Sequence, residues 1–73
     1  MIRDAEILTF MERSDDPAFT ANEIAERFDL TNAAARNRLY KLVDQGKVEY
    51  KKAGHRTVLF WIAGDYSIDV SDT

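Results

Sequence analysis

The sequence predicts a small α+β domain of three helices followed by a two-stranded β-hairpin. Two observations carry this. Apolar residues recur at helical spacing in three blocks before Gly46, and after it the period changes to strict alternation. The chain has 73 residues, which is the length of one small domain. Its 45% hydrophobic and 32% charged residues match a folded chain, not a disordered one. A core of this size rarely supplies more than about 3–5 kcal/mol, which leaves room for a homodimer or another staple.

The first helix is expected over residues 4–13, where Ile7, Phe10 and Met11 share one side with Leu8. Ser14-Asp15-Asp16-Pro17 ends it, because proline cannot continue a helix and restricts the residue before it. Phe19 begins a short extended piece. Thr20-Ala21-Asn22-Glu23 reads as a capping box: the threonine hydroxyl accepts from the Glu23 amide, and the glutamate accepts from the Thr20 amide. Ile24, Ala25 and Phe28 form the stripe of a second, two-turn helix.

Asp29-Leu30-Thr31 is a tight turn, with Leu30 plugging the core and Thr31, or alternatively Asn32, as the next N-cap. The third helix runs to about Gln45 on the face of Ala35, Leu39, Leu42 and Val43, and Gly46 closes it. Lys47 to Lys52 reads as a strand with Val48 and Tyr50 inward, Ala53 to Arg56 as a turn, and Thr57 to Ile62 as the returning strand. Both alternating sets of that strand are apolar, so its inward face is open, and Phe60 and Trp61 are core or interface aromatics. The domain is expected over residues 1–63. An acidic C-terminal tail, 64–73, carries Tyr66, Ile68 and Val70 in alternation. It is either a frayed end or a partner-binding strand.

The net charge of −3 conceals a strong polarity. Residues 1–29 hold three bases against eight acids. Residues 30–62 hold seven bases (Arg36, Arg38, Lys41, Lys47, Lys51, Lys52, Arg56) against Asp44 and Glu49. A cationic face of this kind recruits an anionic partner. The thirteen acids and four lysines also resemble the composition of proteins from salt-loving archaea. Salt weakens phosphate-driven binding steeply, so such a protein needs base contacts, shape readout or a dimer to compensate.

A capped short helix, a three-residue turn, a basic amphipathic helix, a glycine and a hairpin together resemble the winged helix-turn-helix superfamily. The matching residues are Ile24 to Phe28, the turn Asp29 to Thr31, and Leu39 to Glu49; the resemblance covers roughly residues 5–62. In flavour the sequence is similar to prokaryotic transcriptional regulators of the multiple-antibiotic-resistance and arsenic-repressor types. Those families usually carry additional helices for dimerisation or effector binding, which have no counterpart in this sequence. The resemblance implies a transcriptional regulator that binds double-stranded DNA, with the third helix in the major groove and the wing on the flanking backbone or minor groove.

A major groove about 12 Å wide admits one helix. The exposed start of the third helix then meets base edges through Asn32, Ala33, Arg36 and Asn37. Arginine pairs with guanine, and asparagine with adenine, through two hydrogen bonds each. Tyr40 and Lys41, one turn later, suit phosphates, as do Lys51, Lys52, His55 and Arg56 at the wing. As ordinary surface residues the same cations would only solvate a helix face, and Tyr40 would pack against the wing. Arg38 lies at the edge of the core face and suits a structural role.

Two other functions compete. The sequence also resembles the Zα domain that binds Z-form nucleic acid, in Leu39-Tyr40 before Gly46-Lys47, in Ala53-Gly54 and in Leu59…Ile62-Ala63. Arg36-Asn37 stands in the reverse order to that family, its wing prolines are absent, and its tryptophan falls at Phe60. The acidic first helix, the acidic tail and the run Ala33-Ala34-Ala35, read as a flat apolar strip, suit instead a winged helix that binds another protein.

No cofactor, metal or enzymatic chemistry is expected. The chain has no cysteine, one histidine, no glycine-rich phosphate loop and no paired-carboxylate motif. The start of the chain is charged, unlike a secretory signal, and the longest apolar run, Val58 to Ala63, is too short to span a bilayer. Together these suggest a cytoplasmic protein with no membrane partner.

Overall fold

Three helices and one hairpin form where periodicity places them. A computed structural model describes residues 2–64. In chain order it holds α1 (Asp4–Arg13), α2 (Ala21–Phe28), α3 (Asn32–Asp44), β1 (Val48–Lys52) and β2 (Val58–Ile62). The expected alternation of Tyr66, Ile68 and Val70 lies outside the described residues.

Each helix begins and ends for a local reason. Thr20 and Glu23 make both bonds of the capping box, at 3.2 and 2.9 Å. Asp29 ends α2 in the left-handed region at φ 58°, and the Leu30 amide donates back to the Ala25 carbonyl at 2.8 Å. That bond turns Leu30 against the core, where it is half-buried. Thr31, not Asn32, caps α3 by accepting from the Ala34 amide at 3.0 Å. Gly46 closes α3 at φ 78°. Its amide donates to the Val43 carbonyl, and the Lys47 amide to the Leu42 carbonyl, which together make a Schellman motif. Lys47 is thereby drawn into the helix end, so β1 begins at Val48 rather than at Lys47.

The hairpin pairs antiparallel, with Val48 opposite Ile62 and Tyr50 opposite Phe60. Thr57 belongs to the turn and not to β2, its carbonyl accepting from the Ala53 amide at 2.7 Å. Gly54 at the tip has φ 89°, a conformation that L side chains rarely adopt. On its other edge β2 exchanges two hydrogen bonds, of 2.8 and 2.7 Å, between Phe60 and Phe19. The extended piece between α1 and α2 therefore acts as a third, one-residue strand.

The core gathers Ile7, Leu8, Met11, Phe19, Ile24, Ala25, Ala35, Leu39, Leu42, Val48 and Phe60. Full burial of a large apolar side chain contributes roughly 1.5–3 kcal/mol. The open choice on β2 resolves in favour of Phe60, which is fully buried, with Val58 and Ile62 packed beside it. Leu59 and Trp61 stand on the opposite face, half-buried, across from Lys51 and Glu49. Tyr50 departs from expectation. It shares the inward face with Val48 but stays 45% exposed, its ring meeting those of Tyr40 and Phe60 at centroid distances of 5.3 and 6.2 Å.

Candidate nucleic-acid interface

α3 lies with Ala35, Leu39 and Leu42 in the core. Successive residues turn by about 100°, so the remaining positions divide into an outward crest and two flanks. Ala33, Asn37 and, at the far end, Asp44 form the crest, directly opposite the buried stripe. Asn32, Arg36 and Tyr40 lie on one flank, and Lys41 lies on the other. The same rotation breaks up the alanine strip expected at the helix start: Ala35 is fully buried, Ala34 half-buried, and only Ala33 exposed.

The Arg36 flank faces the wing. Arg36 and Tyr40 of α3, Asn22 of α2 and Arg56 of the hairpin turn line one cleft of about 280 Å³, along with Thr20 and Thr57. Two arginines twenty positions apart in sequence thus stand around a single opening. A chain of side-chain amides supports it. Asn32 donates to the Asn22 carbonyl oxygen at 3.1 Å, Arg36 reaches Asn32 at 3.5 Å, and Asn22 reaches Glu26 at 3.5 Å. Asn32 is therefore turned toward α2 and holds the start of α3 against it. Asn22 has no forerunner in the sequence reading. Its only signal there is a polar residue in the exposed first turn of α2, and the crossing of two helices gives it its place.

Tyr40 closes the floor. Its ring meets those of Tyr50 and Phe60 edge-on, with centroids 5.3 Å apart in each case. Such pairs contribute roughly 0.5–1.5 kcal/mol beyond area burial. The packing role anticipated for Tyr40 is thus present, and its half-buried ring also borders the cleft.

The wing cations do not all share this side. Side chains alternate along a strand, and Val48 and Tyr50 face α3, so Lys52 falls on the cleft side and Lys51 on the far side opposite Leu59. His55 and Arg56 are exposed in the turn between β1 and β2.

Among the described residues the one ion pair is Arg38 with Asp4, at 3.1 Å, each side chain 29% exposed. It ties α1 to α3 and bears out the structural role of Arg38. Arg36, Lys41, Lys52 and Arg56 have no carboxylate within ion-pair distance among those residues. No three His, Cys, Asp or Glu side chains among them converge to hold a metal, and no helix is long and apolar enough to cross a membrane.

A family model, the IclR helix-turn-helix domain, matches residues 3–52, which run from the start of α1 to the end of β1. No curated protein and no solved structure gives a significant match.

Proposed function

The chain belongs to the IclR helix-turn-helix domain family, whose members are DNA-binding transcription regulators, and on that premise we propose that it inserts α3 into the major groove of duplex DNA. The observation that carries the proposal is the cleft in which Arg36 and Arg56 meet with no neutralising carboxylate among the described residues. In this arrangement Asn37 and Arg36 read base edges from the crest and the wing-side flank. Ala33 offers a methyl group to thymine. Lys41, Lys52, His55 and Arg56 hold phosphates on the two sides of the groove. Asn32 acts mainly by holding α3 against α2.

Two copies on a two-fold site would present their α3 helices about 34–36 Å apart, one turn of DNA. That homodimer is part of the proposal, because one short helix and a small wing limit the affinity of a single copy.

Fluorescence anisotropy of a labelled random-sequence duplex, titrated with protein from low to high salt, tests the reading. We expect the logarithm of the binding constant to fall linearly with the logarithm of salt concentration. An absence of binding at the lowest salt would remove DNA as the partner of this face.

A further inference from the structure

The first 29 residues hold three bases among eight acids, and all three bases gather at one groove. Arg3 and Arg13 of the α1 segment and Arg27 of α2 line a trough of about 690 Å³ whose floor includes Phe10 and Phe28. Glu6 is the single acid of this lining. The guanidinium of Arg27 lies 5.2 Å from the centre of each phenylalanine ring, and the two rings meet edge-on at 5.7 Å. No residue of this trough lines the cleft between α3 and the wing.

Helix stability does not account for Arg3. It occupies the N-cap of α1, its side chain makes no capping bond there, and it places a cation at the positive end of the helix dipole. A residue that breaks a local rule without a local gain calls for an account beyond helix stability. Arg3 and Arg13 are exposed, and among the described residues neither has a carboxylate within ion-pair distance.

We propose that this trough is a docking site for an acidic peptide segment of a partner protein, with an apolar side chain set between two carboxylates. Charge complementarity selects the carboxylates, and the half-buried Phe10 and Phe28 select the apolar residue between them. Spacing narrows the choice further. Ten residues of helix separate Arg3 from Arg13, about 15 Å. An extended peptide advances about 3.3 Å per residue, so acids four positions apart, about 13 Å, meet both arginines. Alternate side chains of an extended chain share a face, so the partner sequence is of the form acid, three residues with the middle one apolar, acid.

A fluorescein-labelled peptide Ser-Gly-Asp-Ser-Phe-Ser-Asp-Gly-Ser, titrated with the full chain, tests this. Saturable binding is expected that weakens with salt and falls at least tenfold when both aspartates become asparagine. The double variant Arg3→Glu/Arg13→Glu is expected to lose at least tenfold in peptide affinity while keeping the salt dependence of DNA binding. Both positions are exposed and the two changes oppose each other on the helix dipole, so folding is retained, and circular dichroism verifies it. Three results would each overturn the proposal: no saturable binding, equal binding of the asparagine peptide, or undiminished binding by the charge-reversed variant. Loss of DNA binding in that variant would assign the trough to nucleic acid instead.

Discussion

Replacing Lys52 with alanine should weaken duplex binding, whereas replacing its neighbour Lys51 should leave it nearly unchanged. The reason is the pleat of β1. Val48 is buried and Tyr50 meets Tyr40 of α3, so the next residue on that face is Lys52. Lys51 pairs across the hairpin with Leu59 on the far side. The lysines and arginines assigned to phosphates are Lys41, Lys52 and Arg56. Each contact contributes about −0.9 to the slope of log binding constant against log salt, so these three give about −2.7 for the native chain. Lys52→Ala should bring the slope to about −1.8. Over a fourfold rise in salt, these slopes correspond to affinity losses of about 40-fold and about 12-fold. Lys51→Ala should follow the native line. Anisotropy titrations at four or five salt concentrations above about 0.1 M, where the Debye length is about 10 Å or less, separate direct contact from distant field. Equal slopes for the two variants would refute the assignment of faces.

Three further outcomes follow from the packing. Leu39→Ala empties a fully buried position and should cost roughly 2–5 kcal/mol, enough to unfold much of a domain this small; a urea midpoint close to the native one would contradict the placement of α3. Gly46→Ala meets no neighbouring atom but forces a Cβ into φ 78°, and thermal melts should register a loss of about 1 kcal/mol. Arg38→Ala removes the half-exposed tie to Asp4, so calorimetry should show a loss below about 1 kcal/mol while the DNA salt slope stays native.

Local signals in this chain were easy to read because each depends on residues a few positions apart. The capping box at Thr20 and Glu23, the stop at Gly46 and the stripe Ala35-Leu39-Leu42 all satisfy hydrogen bonds or bury surface within one element. The cap of α3 resolved to Thr31 over Asn32, since a hydroxyl one residue earlier reaches the Ala34 amide. The strand ends moved by one residue at Lys47 and at Thr57, where helix closure and turn closure claimed backbone groups that alternation alone assigns to a ladder. Tyr50 had the right face but not the right burial, because alternation specifies direction and says nothing of how much protein lies in that direction.

By itself the sequence determined the order of elements, the capping box of α2, the stop at Gly46 and the concentration of positive charge between Leu30 and Ile62. These follow from periodicity, side-chain chemistry near the backbone and simple charge. Only the tertiary structure decided which of these side chains lie together. Arg36 joined Arg56 and Asn22, Arg38 turned to Asp4, and Arg3, Arg13 and Arg27 collected around two phenylalanines. The angles at which helices and strands cross set those groupings. Those angles arise from how the buried faces of all five elements interlock, which no local window of sequence contains.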